Sequence, residues 1–191
     1  MRFGIASAVM RIGVLVSGSG TNLQALLDAD LPIVVVVADR PCRGLEIATG
    51  AGVDTELIER TSFGKDFDRL AYTEQVIDVL QARQVDLVAM AGFMTVLEKP
   101  IFDAFPDRIL NTHPALLPAF PGAHAVDDAV AAGVKVTGCT VHVATLEVDA
   151  GPILAQEAVA VLPDDTVETL HERIKQVERR LYPQTIRELM T

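Results

Sequence analysis

The chain has 191 residues, half of them apolar and 22% charged, with a formal net charge of −10. That length supports a sizeable core, and that composition excludes a disordered chain. The acidic balance disfavours non-specific binding to nucleic acid or anionic membranes, and leaves room for a small anionic ligand in a local pocket.

Residues 1–10 read as an N-terminal extension, too short for a secretory signal. Ile12–Val16 reads as a buried strand. The turn Ser17-Gly-Ser-Gly-Thr-Asn22 follows, then a helix over Asn22–Asp28. Ile33–Val37 is a β-branched run, as in a strand covered on both faces. A helix near Leu45–Ala51 leads to a strand at Thr55–Ile58. Phe67–Arg83 has helical spacing, with Leu70, Ile77 and Leu80 apolar and Val76 beside them. Asp86–Ala91 and Ile109–Asn111 read as further strands. This alternation predicts an α/β, doubly wound, mostly parallel sheet with helices on both faces. Ala125–Ala132 reads as a helix. Val136–Ala144 and Ile153–Val161 then predict an antiparallel C-terminal strand pair. Val167–Met190 reads as a helix with Leu170, Ile174, Val177 and Leu181 on one face. Asp165 is the expected N-cap, with Glu168 completing a capping box, and Thr166 is the alternative. Pro183 should kink or end this helix. No repeat or linker divides the chain, so one domain spans 1–191.

Three segments carry candidate chemistry. Ser17–Asn22 offers glycines and the open N–H groups of a helix start, which suit a phosphate. It has no Lys after its second Gly and no third Gly, so neither a triphosphate loop nor a dinucleotide fingerprint is complete. A tight turn explains the same residues equally well. In Asn111-Thr-His-Pro-Ala-Leu-Leu-Pro-Ala-Phe-Pro-Gly122, three prolines bar regular structure after a strand. Asn111 and His113 therefore sit at the strand-end crevice where open α/β sheets bind ligands. Both side chains can donate to an oxyanion. Asp149 lies in the turn Thr145-Leu-Glu-Val-Asp-Ala-Gly151. Alone it reads as turn chemistry; beside His113 it would favour the imidazolium and handle a proton. His142 reads equally as a core residue or as a partner supporting the site. His124 and His171 read as structural. Cys42 and Cys139 read as buried thiols, and no cluster suggests a metal.

Together, Ser17–Asn22, Ala91–Leu97, Asn111–Gly122 and Gly138–Pro152 resemble the phosphoribosylglycinamide formyltransferases over residues 11 to 187. The resemblance implies the formyltransferase fold, with a phosphate-binding half to about residue 105 and a folate and catalytic half beyond. It implies transfer of the formyl group of 10-formyltetrahydrofolate to the amine of 5'-phosphoribosylglycinamide, in purine (IMP) biosynthesis. Gly20, Thr21 and Asn22 would hold the substrate phosphate. Lys175, Gln176, Val177 and Glu178 match a substrate-contacting segment, Glu178 foremost. Arg69 would face the folate carboxylate tail. Met94, Thr95, Val96 and Leu97 would line the folate pocket, and Thr145, Leu146, Glu147, Val148 and Asp149 would close it. Asn111 would touch the folate as well as the oxyanion. Thr95 stands where many relatives carry a basic residue; if that residue supports the folate glutamate tail, the tail would be held more weakly or differently here. The expected partners are small molecules, with no nucleic acid and no membrane; a homodimer stays open, and the expected location is cytoplasmic.

Two rivals share the fold. A transfer-RNA formyltransferase would need a basic C-terminal domain, and a formylfolate hydrolase an N-terminal regulatory one. A non-catalytic nucleotide- or folate-binding module would use the Gly loop but give Asn111, His113 and Asp149 no joint task.

Overall fold

The computed structural model describes residues 10–62, 64 and 66–190, so all but the last residue of the expected N-terminal extension lies outside the described residues. The chain order is β1 (Ile12–Val16), α1 (Thr21–Asp28), β2 (Ile33–Ala38), α2 (Arg43–Gly50), β3 (Asp54–Leu57), α3 (Arg69–Ala82), β4 (Leu87–Met90), α4 (Lys99–Ala104), β5 (Ile109–His113), α5 (Ala125–Ala131), β6 (Val136–Val143), β7 (Ile153–Ala160) and α6 (Val167–Met190). These strands form one seven-stranded sheet in the order β3-β2-β1-β4-β5-β6-β7. Strands β1 to β5 pair in parallel; β6 runs antiparallel to both β5 and β7. The expected doubly wound sheet with an antiparallel end is the one observed.

Alternation along β1 builds two cores. Ile12, Val14 and Val16 join Leu23 and Leu26 of α1 and Leu170, Ile174 and Leu181 of α6. Leu15 joins Tyr72, Val76 and Leu80 of α3 and Ile101 of α4 on the other face. Gly13 has no side chain because α3 lies so close: a Cβ there would stand 2.6 Å from Leu80. The strand order reverses between β1 and β4, which opens a crevice beyond their C-terminal ends.

Four local expectations change. Helix α3 buries Tyr72, Thr73, Val76 and Leu80, while Leu70 stays about half exposed, so the core-facing stripe is rotated from the expected one. Helix α4 was not expected; Pro100 sits in its first turn, where a missing N–H costs nothing. Thr166, not Asp165, caps α6: Thr169 N donates to Thr166 Oγ1 at 3.3 Å, and Thr166 N donates to Thr169 Oγ1 at 2.9 Å. Asp165 instead holds Arg173 at 2.6 Å and accepts from Leu162 N. Pro183 does not end α6. Tyr182, Ile186 and Leu189 are buried around it, and their packing offsets the lost backbone bond.

Candidate active site

Strand β5 ends at the crevice and runs two residues further than expected, to His113. Its alternation turns Asn111 and His113 to one face and Thr112 to the other. The antiparallel register sets Asn111 opposite His142 and His113 opposite Thr140. Thr140 Oγ1 in turn donates to Ala115 O at 2.7 Å and accepts from Leu117 N at 3.0 Å, tying the proline loop to β6. The Leu117-Pro118 bond is cis, and Phe120 and Gly122 both have left-handed φ. This path aims the Phe120 carbonyl at His113, whose Nε2–H donates to it at 2.7 Å.

The β6–β7 turn folds back over the same place. Gly151 makes this possible, since a Cβ there would stand 1.8 Å from Val143 O. Asp149, at φ 56°, enters between the two imidazoles. Its Oδ2 lies 3.3 Å from His113 Nδ1 and accepts from Gly122 N at 2.8 Å; its Oδ1 lies 3.5 Å from His142 Nε2. Burial, the largest single influence, pushes the Asp149 carboxyl up. The hydrogen bonds from His142 and Gly122 and the charges of His113 and His142 outweigh it and hold the carboxyl below its ordinary value.

A carbonyl can only accept, so each histidine has one proton fixed. His142 Nδ1–H donates to Val143 O at 3.0 Å, and Nε2 is its variable nitrogen. Nε2 of His142 also faces Asn111 Nδ2 at 3.3 Å. In the neutral ring it accepts from that amide and fixes which way Asn111 points. For His113 the fixed proton is on Nε2, and the variable nitrogen is the one facing Asp149.

These groups line a cavity of about 590 Å³. One wall is Ser17–Asn22 with Lys175 and Glu178; the other is Met94–Leu97 with Leu146 and Val148. Among the described residues, no group of His, Cys, Asp and Glu side chains has metal-binding geometry.

The sequence profile described as Formyl transferase matches residues 10–186. A phosphoribosylglycinamide formyltransferase of Mycobacterium tuberculosis is 48% identical over 190 residues, 97% of this chain and 87% of that protein. The chain belongs to the phosphoribosylglycinamide formyltransferase family. A crystal structure of glycinamide ribonucleotide transformylase 1 from Symbiobacterium toebii is 47% identical, with a TM-score of 0.88 over 98% of this chain and 90% of that one. The trifunctional purine biosynthetic protein adenosine-3 of Gallus gallus is 44% identical over 181 residues, which is 91% of this chain and 18% of that larger protein.

The other expected residues of this formyltransferase divide sharply by position. Gly20, Thr21 and Asn22 line the cavity at the start of α1, with Gly20 at φ 71°. Asn22 Oδ1 is buried and has no hydrogen-bond partner among the described residues. Of the four-residue α6 segment, Lys175 and Glu178 line the cavity; Gln176 is exposed elsewhere and Val177 packs on the core. Helical spacing explains the split, since only residues three or four apart share a face. Glu178 is buried. Burial pushes its carboxyl up, against hydrogen bonds from Thr112 and Asn22 and the charges of Lys175 and Arg179. Thr145, Leu146, Val148 and Asp149 line the cavity; Glu147 does not line it and is exposed, its carbonyl accepting from Thr145 Oγ1.

Arg69 does not line the cavity. It starts α3 and pairs with Glu98 at 3.5 Å, just outside the rim beside Leu97. Thr95 belongs to the cavity wall, but its side chain is only 1% exposed and turns inward to Asp39. Thr95 therefore gives the cavity wall its backbone, while its side chain serves the interior. His171, expected to be structural, lines the cavity beside Lys175; burial and then the Lys175 charge lower its pKa. Its helical position, four residues before Lys175, was the available signal. No helix among the described residues is long and apolar enough to cross a membrane.

Proposed function

We propose that this enzyme moves the formyl group of 10-formyltetrahydrofolate to the amine of 5'-phosphoribosylglycinamide, in a single cytoplasmic domain. The carrying observation is the Asp149 carboxylate set between His113 and His142, with Asn111 alongside, on the floor of a cavity with two unlike walls.

The polar wall takes the amine substrate. N–H groups at the start of α1 receive its phosphate. The unpartnered Asn22 Oδ1 and the buried Glu178 offer acceptors to its sugar or glycinamide N–H and O–H groups. The other wall takes the folate: Met94, Val96, Leu146 and Val148 are each about half exposed and present an apolar slot for a flat ring system. The reacting carbon then lies between the walls, over Asn111 and His113.

The neutral amine attacks the formyl carbon, and the formyl oxygen gains the displaced electron pair. Asn111 donates its remaining amide N–H to that oxygen, and the positive charge of protonated His113 beside it opposes the developing negative charge. One such donor is worth roughly 3–4 kcal/mol of barrier. The proton leaves the attacking nitrogen through Asp149, directly or by way of a water. The oxyanion then returns its electron pair to re-form the carbonyl, the carbon–nitrogen bond to the folate breaks as N10 takes that same proton from Asp149, and the formylated amine and tetrahydrofolate depart.

The test mixes protein, 10-formyltetrahydrofolate and phosphoribosylglycinamide, and follows folate absorbance with a His113→Ala control. Product that requires both the amine and His113 is expected. Formate release without the amine would make this a hydrolase; folate binding without turnover would make it a binding module.

A further inference from the structure

Asp39 follows the last residue of β2, and the reaction just described gives it no task. It is nonetheless fully buried and ionisable. Thr95 Oγ1 donates to its Oδ2 at 2.8 Å. Arg40 donates through Nε to Oδ1 at 3.0 Å and through Nη2 to Oδ2 at 3.2 Å. The Ser17 hydroxyl is a further donor to the carboxylate, and Ser17 Oγ accepts from Met94 N at 2.8 Å. The backbone is pinned as well: Arg60 N donates to Asp39 O at 2.8 Å, and Ser17 N donates to Gly92 O at 3.1 Å. Burial pushes the Asp39 carboxyl up, but the bonds from Arg40, Thr95 and Ser17 bring it below its ordinary value. An ionised carboxylate accepts only, which is what this ring of donors requires.

We propose that Asp39 is a positioning residue for the formyl donor: it holds the Met94–Leu97 loop, through Thr95 directly and through Ser17 to Met94, in the shape that receives the folate ring. This rests on the reading of the apolar wall as the folate site. The phosphate end of the cavity, at Gly20–Asn22, sits on the start of α1 and meets the Asp39 ring only through Ser17, three residues earlier, so the folate should respond more strongly than the amine substrate.

The experiment compares wild type with Asp39→Asn, Thr95→Val and Thr95→Ser. Calorimetry measures binding of tetrahydrofolate and, separately, of phosphoribosylglycinamide; turnover is measured with each substrate varied in turn. An amide at position 39 sets a donor against donors, and Thr95→Val removes one arm of the ring. Each should weaken tetrahydrofolate binding and raise the donor KM about tenfold, with phosphoribosylglycinamide affinity within about twofold and kcat nearly unchanged. Thr95→Ser should restore the wild-type values. Equal losses for both ligands would show general damage to the fold and overturn the proposal, as would unchanged folate binding in both Asp39→Asn and Thr95→Val. If Asp39→Asn fails to fold, Thr95→Val decides alone. Wild-type protein that binds no tetrahydrofolate would overturn the folate reading itself, a result separate from either of these.

Discussion

Replacing Asp149 by Asn removes one charge and little else. The residue sits at φ 56°, a left-handed conformation that Asn and Asp both tolerate, so the turn need not move. The amide oxygen can keep the Gly122 N–H at 2.8 Å. What is lost is attraction between a carboxylate and an imidazolium 3.3 Å apart at His113. Unit charges at that spacing attract by about 5 kcal/mol at an effective dielectric near ~20, and by about 1.3 kcal/mol in bulk water. The pair is buried yet borders an open cavity, so a value between these limits applies, about 3–4 kcal/mol. That corresponds to a fall in kcat of roughly two to three orders of magnitude. Substrate KM values should change far less, because neither ground-state ligand needs the charge. The assay is steady-state formyl transfer from pH 5 to 9 (assay limits set at about those values by the need to titrate an imidazole). A kcat within about threefold of wild type, with the same pH profile, would refute the role given to Asp149.

Other substitutions probe the framework. Glu178→Gln should cost activity yet raise stability at neutral pH. The folded-state value of Glu178 lies above its ordinary 4.5, so the wild type is fully favoured below 4.5 and loses that advantage as pH rises through the folded value. The Tm gain of the variant should therefore grow from pH 4 to pH 7.5, values chosen to bracket that window at about the ordinary and neutral ends; a gain independent of pH would contradict the buried-acid account. Gly151→Ala places a Cβ 1.8 Å from Val143 O and should destabilise by at least about 3 kcal/mol in urea unfolding. Tyr182→Phe deletes a buried hydroxyl that donates to Leu110 O at 2.9 Å and should cost about 1–3 kcal/mol by the same measurement.

Much of this was legible in the chain because local patterns carried it. The β-branched run at Ile33 reads as a strand covered on both faces, and Asn111 and His113, two apart before a proline loop, read as lying where a strand gives way to a loop; that they share one strand face appeared only with the longer β5. The rest depended on partners distant in sequence. Asp39 stands out only once Thr95, far along the chain, is seen to donate to it. His142 was ambiguous until the β5–β6 register set it opposite Asn111. The Phe120 carbonyl that fixes the His113 proton has no sequence signal at all, since any residue supplies a carbonyl. Arg69 and Gln176 matched a familiar segment, but a match in sequence does not say which side of a helix or rim faces the ligand.

The C-terminal helix has a consequence for how the protein is made. Tyr182 bonds the carbonyl just before Asn111, and Glu178 accepts from Thr112 at 3.0 Å, so α6 braces the strand that carries Asn111 and His113. On the ribosome, β1 to β5 can emerge and pair while that strand still lacks its brace. Catalytic competence should therefore appear late, as a step after α6 leaves the exit tunnel, and not gradually as the sheet grows. Nascent chains stalled before Tyr182 would carry every residue of the Asn111, His113 and Asp149 constellation and still transfer nothing.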